Sequence, residues 1–78
     1  MKIGKFLQKS RLKANLTQVQ VSNKLRLASA QSVSNIERGL APLPPKYIKT
    51  ISKLYKIDPI KLVKVLKDDF VTYLKENI

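Results

Sequence analysis

Apolar side chains recur along this chain at intervals of three and four residues, which is the spacing of one face of a helix. Ile3 and Leu7 begin the first such stripe, which predicts a helix over about 3–13. Asn15 follows at a position suited to a left-handed helix end. No stretch shows the sustained two-residue alternation of a half-buried strand. The pattern therefore predicts an all-α protein.

The second helix has the clearest start signal. Thr17-Gln18-Val19-Gln20 is a capping box, in which the Thr17 side chain caps the helix and the Gln20 side chain bonds back to the cap. Leu16 and Val21 supply the matching pair of apolar residues on either side of the cap. A helix to about Leu25 is predicted.

A third helix is predicted from Ser29, a second N-cap candidate, to a stop at Gly39. Val33 and Ile36 mark its buried side. The second and third helices are joined by about three residues, which is the plan of a helix-turn-helix unit.

The rest of the chain predicts two further helices. Prolines at 42, 44 and 45 make a stiff connector, and Pro45 is suited to the first position of a fourth helix that ends near Tyr55. Asp58-Pro59 is a cap followed by proline, which opens a fifth helix over about 59–75. A break at Asp68-Asp69 would divide that helix.

Charge narrows the range of partners. The 78 residues contain 16 Lys and Arg against 5 Asp and Glu, a net charge of +11. Such an imbalance is tolerated mainly where the partner is a polyanion. The chain has no cysteine and no histidine, which argues against an enzyme, a bound cofactor or a metal site. Without a long apolar run we expect no signal peptide, no membrane span and a cytoplasmic location.

The outer face of the third helix is unusual because residues 27–36 contain no charge. Gln31 and Asn35 are four residues apart and project from the same face. Each side chain offers a donor and an acceptor, which suits paired hydrogen bonds to adenine in a major groove. Ala30 could meet a thymine methyl group, and serine can donate or accept. An ordinary solvated face of small polar residues is the alternative.

Several polar side chains near this helix are candidates for phosphate contacts. They are Gln18, Ser32, Arg38 and Lys46, with Lys24 and Arg26 as weaker candidates beside the turn. Glu37 is the only acid in the first 57 residues, and a free carboxylate would repel DNA. We therefore expect Glu37 to pair with Arg11, partly buried, between the first and third helices.

These residues resemble the Cro/C1-type, lambda-repressor-like helix-turn-helix family. The resemblance covers Ile3-Gly4, Arg11, Leu16-Thr17-Gln18, Val33–Gly39 and Ile57–Ile60, in the family's order. It implies a compact five-helix domain whose third helix enters the major groove. By position, the resemblance implies base contacts for Ser29, Ala30, Gln31 and Asn35. It implies phosphate contacts for Gln18 and Arg38, and a buried ion pair for Arg11 and Glu37.

The chain departs from the family pattern in three places. The spacing from Thr17 to Glu37 is one residue longer, and Leu25-Arg26-Leu27 lacks the turn glycine that is often present. Asn15 stands where glycine is customary. The fifth helix also runs past the family minimum, so we divide the chain into a helix-turn-helix domain at 1–66 and a helical extension at 67–78.

Two roles for the extension are open. Its aromatic residues Phe70 and Tyr73 could fold back on the first helix at Phe6, or they could form a dimer contact. The first role would make the extension part of the fold. The second would make it part of an assembly.

The sequence therefore predicts a double-stranded DNA-binding transcriptional regulator, a repressor of phage or mobile-element type. We expect it to bind a palindromic operator as a homodimer, without a small-molecule ligand. The alternative is a protein-interaction module of the same fold, antitoxin- or antirepressor-like, that acts mainly through its C-terminal helix.

Overall fold

The structure is a computed structural model that describes residues 2–77. Within that range it contains five α-helices and one 3₁₀ turn, and it has no strand. The predicted all-α, five-helix fold is confirmed. In chain order the elements are α1 (Lys2–Lys13), α2 (Gln18–Lys24), α3 (Ala30–Glu37), the 3₁₀ turn (Pro45–Tyr47), α4 (Ile48–Leu54) and α5 (Pro59–Asn77).

One hydrophobic core holds these helices together, and each of the five helices contributes to it. Leu62 of α5 and Val21 of α2 are its most deeply buried members, at 0% and 1% exposure. The other buried apolar side chains are Ile3, Leu7, Leu25, Val33, Ile36, Leu43, Ile51 and Tyr55. Because α3 packs mainly on α2 and α1, its opposite side is left facing solvent.

The start of α2 is built as the capping box predicts. The Gln20 amide donates to Thr17 Oγ1 at 3.1 Å, and the Thr17 amide donates to Gln20 Oε1 at 2.8 Å. Ser29 also occupies the N-cap position of α3, in extended conformation, but its side chain makes no capping bond. The Ser29 hydroxyl is therefore not used to cap its own helix.

The first four α-helices end in the same way. The backbone turns left-handed at Asn15, Arg26, Gly39 and Lys56, with φ of 59°, 56°, 77° and 55°. After each of them an amide donates to a carbonyl five residues back, for example from Leu27 to Ser22 at 2.8 Å and from Ile57 to Ser52 at 3.0 Å. This is the Schellman arrangement that satisfies the last carbonyls of a helix. Arg26 thus occupies the turn position where the family often has glycine.

One predicted boundary was wrong in detail, and the single long fifth helix that was predicted does not have the break considered for it. The chain enters the fourth helix through a 3₁₀ turn at Pro45–Tyr47, and the α-helical geometry begins only at Ile48. The fifth helix is continuous across Asp68-Asp69. The two acids do not break it, since Asp68 is exposed to water and Asp69 is buried with two hydrogen-bond donors.

The long fifth helix returns to the beginning of the chain. The Asp69 carboxylate, 5% exposed, accepts hydrogen bonds from the backbone amides of Lys2 and Ile3, both at 2.8 Å. It thereby satisfies amides in the first turn of α1, as an N-cap side chain would. The extension thus returns to α1, as one of its two open roles requires, and it does so through Asp69 at the start of that helix. The ring of Phe6 lies against the ammonium group of Lys61, 5.9 Å from its centre.

Helix α1 approaches the end of α3 very closely at Gly4. A Cβ atom at this position would lie 2.3 Å from the backbone oxygen of Glu37. Glycine is therefore required here by packing. This approach brings the α1 helix close enough for Arg11 to reach Glu37.

Candidate nucleic-acid interface

The solvent side of α3 has the side chains that the sequence singled out. Val33 and Ile36 are buried at 4% and 8% exposure, so the opposite side of the helix points outward. Gln31 is exposed, and Asn35 is half-buried beside it. The helix has no charged side chain on that outward side before Arg38.

Gln31 and Asn35 form a hydrogen-bonded pair. The Gln31 Nε2 group donates to Asn35 Oδ1 at 2.9 Å, one helical turn away. The pair keeps the Gln31 carbonyl oxygen as an acceptor and several amide hydrogens as donors. Because adenine presents one acceptor and one donor in the major groove, either amide can bond to it in a paired fashion.

The residues at the start of α3 differ in exposure. Ser29 is exposed, with its hydroxyl free of a capping role, whereas Ala30 and Ser32 are half-buried. In the α2–α3 connection the backbone is left-handed at Arg26 and extended at Ser29. Of Ser29, Ala30 and Gln31, the first and the last are the more accessible.

A buried polar network fixes the end of α3 against α1 and α2. Arg11 Nε donates to Glu37 Oε2 at 2.7 Å, and Arg11 Nη2 donates to Glu37 Oε1 at 3.2 Å. Arg11 also donates to the Leu16 carbonyl at 2.9 Å, and Gln18 Nε2 donates to Glu37 Oε1 at 3.0 Å. The hydrogen bond to Glu37 raises the pKa of Arg11 above its ordinary value, against the opposing effect of burial. The Arg11 guanidinium therefore stays charged at any physiological pH.

This network also buries the one carboxylate that lies near the outward face of α3. The Glu37 side chain is only 3% exposed and is fully paired. The other acids of residues 2–77 are Asp58, Asp68, Asp69 and Glu76, all in α5 or at its start. The exposed surface of α2 and α3 is therefore free of negative charge.

Cations from three separate elements line one groove beside the turn. Lys24 at the end of α2, Arg26 in the turn and Lys46 in the 3₁₀ turn meet there, together with Tyr47 and Thr50. The groove has a volume of about 410 Å³. The Lys46 ammonium group lies 5.2 Å from the centre of the Tyr47 ring. Such a groove can hold a phosphate on one side of a duplex strand.

Sequence reasoning identified these three cations singly and missed that they form a group. Lys24 and Lys46 are 22 positions apart, so no local motif connects them. The predicted candidate Arg38 is exposed at the end of α3, away from this group. The signal that could have found the groove is the absence of acids from residues 38–57, the segment that contributes Lys46, Tyr47 and Thr50 to it.

Within residues 2–77 there is no cluster of three or more metal-ligating side chains, and no helix there has the length and hydropathy needed to cross a membrane.

The comparison with protein families gives a match that covers most of the chain. The sequence model of a helix-turn-helix family matches residues 7–62, from the middle of α1 into α5. No curated protein and no solved structure matches the chain. The matched region contains α2, α3, the buried ion pair and the cationic groove. The chain therefore belongs to the Cro/C1-type helix-turn-helix family, a family of DNA-binding regulators.

Proposed function

We propose that this protein is a sequence-specific transcriptional repressor, of phage or mobile-element type, that reads double-stranded DNA with α3 in the major groove. The observation that supports this most directly is the uncharged outward face of α3, with Gln31 and Asn35 paired on it. Cations lie on both sides of that face, and the only nearby acid is buried. This is the arrangement of charge that a groove walled by phosphates favours.

Base contacts are assigned to the residues at and after the start of α3. Gln31 and Asn35 provide paired hydrogen bonds, Ser29 provides a hydroxyl that its helix does not use, and Ala30 provides an apolar contact. These four side chains occupy the first two turns of α3. Discrimination between base pairs would come from this set.

Phosphate contacts are assigned to side chains around that set. Gln18 donates one Nε2 hydrogen to Glu37, and its second Nε2 hydrogen is available for a phosphate oxygen. Ser32 lies within α3, and Arg38 lies at its C-terminal end. Lys46 provides a cation from the connector, and we add Lys24 and Arg26 because they line the same groove. Arg11 and Glu37 have a positioning role, since they are buried and hold α1, α2 and α3 together.

We further propose that a homodimer binds a palindromic operator. Helix-turn-helix dimers bind two half-sites about one turn of DNA apart, so that the symmetry of the site matches the symmetry of the protein. Four cations per protomer, if all contact phosphate, would give a dimer a slope of log affinity against log salt of about −7. Occupation of such an operator would block a promoter that overlaps it.

Selection of bound duplexes from a random pool tests this proposal. The expected result is one preferred sequence with two inverted halves. In the selected duplex, Gln31→Ala and Asn35→Ala should each lose about 1–3 kcal/mol of binding free energy and relax the preference at one or two positions. Arg38→Ala should weaken all duplexes alike and reduce the salt slope by about one.

Gln8→Ala is the matched control, because Gln8 is an exposed glutamine on α1, outside the proposed interface. It should leave affinity and preference unchanged. Equal losses on selected and random DNA for Gln31→Ala and Asn35→Ala would remove them from the base-reading set. A pool that yields no preferred sequence would overturn the proposal as a whole.

The second candidate function is a protein-interaction module, antitoxin- or antirepressor-like, that acts through the C-terminal helix. Large apolar side chains exposed on α5 favour it, among them Phe70 at 60% and Tyr73 at 55%. A salt titration of duplex binding separates the two functions. A module without a DNA-reading role would not show the steep salt dependence that several phosphate contacts produce.

A further inference from the structure

A second cationic groove lies between the C-terminal half of α1, the end of α4 and the start of α5. Its volume is about 490 Å³, and it shares no lining residue with α2, α3 or the groove beside their turn. It is therefore separate from the proposed DNA interface. Four exposed lysines line it: Lys9, Lys13, Lys56 and Lys61. We call this site the lysine groove.

No carboxylate neutralises the lysine groove. The side chains that line it include no acid. The one ion pair of residues 2–77 joins Arg11 to Glu37, so none of the four lysines is paired there. Asp58, the acid nearest to the groove in the sequence, caps α5 by accepting a hydrogen bond from the Ile60 amide at 2.9 Å. The groove is therefore a concentration of positive charge without a counter-charge of its own.

Three of these lysines occupy positions that the fold by itself disfavours. Lys9 lies four residues from both Lys5 and Lys13 on α1, and like charges at this spacing repel each other. Lys56 has a left-handed backbone, with φ of 55°, which strains a residue that has a side chain. Lys61 is the third residue of α5, where the positive end of the helix dipole repels a cation. An anionic ligand would relieve the repulsion at Lys9 and Lys61.

Apolar side chains also line the lysine groove, and they indicate what kind of anion fits it. Phe6 and Ile57 are half-buried there, and a phosphate backbone has no apolar group that could cover them. Single-stranded nucleic acid stacks its bases on open aromatic faces. Here the Lys61 ammonium group lies over the Phe6 ring, and Tyr55 is 5% exposed. A peptide with both carboxylates and apolar side chains matches the groove better than a nucleic acid does.

We propose that the lysine groove binds an acidic segment of another protein, in which glutamates or aspartates flank one or two apolar residues. The carboxylates pair with the lysines of the groove, and the apolar residues cover Phe6 and Ile57. A partner held here leaves α3 free, so the chain can bind protein and DNA at the same time. The site is independent of the proposed function, which concerns α2 and α3.

Fluorescence anisotropy with a synthetic peptide tests the groove without DNA. The probe is a labelled peptide in which runs of glutamate flank a central pair of leucines. In about 50 mM salt it should bind the wild-type chain with a Kd in the micromolar range, and the affinity should fall as salt is added. Replacing its glutamates by glutamine should raise the Kd about tenfold or more. Replacing its leucines by serine should raise the Kd about tenfold.

Charge-matched variants separate the groove from the net charge of the protein. Lys9→Gln combined with Lys61→Gln should raise the peptide Kd about tenfold. Lys67→Gln combined with Lys75→Gln is the matched control, because both lysines are exposed on α5 outside the groove. It should raise the Kd less than about threefold, through net charge alone. Lys56→Gly should also weaken binding, and since it relieves backbone strain, that loss would not come from unfolding.

Four results would overturn the proposal. The first is a wild-type chain that does not bind the peptide at about 1 mM, a scale of weak association. The second is equal weakening by the groove variant and the control variant. The third is a serine peptide that binds as tightly as the leucine peptide. The fourth is a labelled oligothymidylate of equal charge that binds more tightly than the peptide and loses affinity only in the groove variant, which would identify nucleic acid as the occupant.

Duplex DNA separates this inference from the proposed function. A duplex selected from the random pool should not displace the peptide, and displacement would overturn the inference by making the groove part of the DNA interface. A chain that binds the peptide in the groove but prefers no DNA sequence would support the groove and contradict the repressor. A chain that prefers one DNA sequence but does not bind the peptide would support the repressor and contradict the groove.

Discussion

Single residues decide where charge lies in this molecule. Glu37, the only acid in the first 57 residues, is buried and bonded to Arg11 and Gln18. Because a buried ion pair needs both partners, loss of either one would leave an uncompensated charge in the core. Because the Glu37 carboxylate is buried, it adds no negative charge to the outward face of α3, which stays neutral and rich in amide groups.

The buried Tyr55 side chain, beside this ion pair, makes the free energy of unfolding depend on pH. Burial, and then the nearby Glu37 carboxylate, raise the pKa of Tyr55 to about 12, while Arg11 lowers it. An unfolded tyrosine ionises near pH 10, so between pH 10 and 12 the unfolded chain has lost a proton that the folded chain keeps. The free energy of unfolding should therefore fall with rising pH, by about 2 kcal/mol between pH 9 and 11.5.

Urea unfolding at these two pH values measures the effect against Tyr55→Phe. Every other side chain is the same in the two proteins, so the difference between wild type and variant isolates Tyr55. Tyr73→Phe, at an exposed tyrosine, is the control and should behave like wild type. A Tyr55→Phe variant with the same pH slope as wild type would contradict the argument.

At the scale of elements, the first four α-helices end in the same backbone conformation, although the residue at the left-handed position differs. All four left-handed ends place an amide on a carbonyl five residues back, yet only one of them uses glycine. A side chain in this conformation costs about 1–2 kcal/mol for most residues and less for asparagine. The helix ends at Arg26 and Lys56 are therefore formed against local preference, by the packing of Leu27 and Ile57 on the core.

Lys56→Gly is expected to stabilise the protein by about 1 kcal/mol, because it removes the left-handed strain at the end of α4. Lys56 is exposed and its groove lies away from α3, so DNA binding should not change. Asn15→Gly is the matched substitution and should gain only a few tenths of a kcal/mol. The midpoints of urea unfolding give both values. A loss of stability in Lys56→Gly would show that the lysine side chain has a contact that outweighs the strain.

At the scale of the whole molecule, the C-terminal helix joins the two ends of the described chain. Asp69 receives two amides of α1 across 66 and 67 positions of sequence. We therefore propose that the extension, 67–78, supports the helix-turn-helix domain, 1–66, through this contact.

Asp69→Ala is expected to destabilise the protein by about 2 kcal/mol, since it leaves two amides of the first turn of α1 without their acceptor. Asp68→Ala is the matched control, because the neighbouring carboxylate is exposed, and it should change stability by less than about 0.5 kcal/mol. Thermal and urea unfolding measure both variants. If the two substitutions have the same effect, the carboxylate of Asp69 does not hold α1.

Much of the fold was predictable because its signals are local. Helix periodicity, the capping box at Thr17, the stop at Gly39 and the cap at Asp58 each depend on residues within a few positions of one another. The same holds for the amide pair on α3, where Gln31 and Asn35 are neighbours because a helix brings every fourth residue to the same face. Nothing local distinguishes Asp69 from Asp68, because the burial of Asp69 depends on α1, which lies 66 positions away in the sequence.

The sequence by itself determined the five helices, the cationic character and the neutral face of α3, since these follow from spacing and composition. Only the tertiary structure decided that Asp69 is buried, which cations share a groove and which face of α5 is left exposed. These properties depend on contacts between residues 20 to 67 positions apart, and such contacts form only when all the helices pack together. Local preference can even be overruled there, as the left-handed Arg26 and Lys56 show.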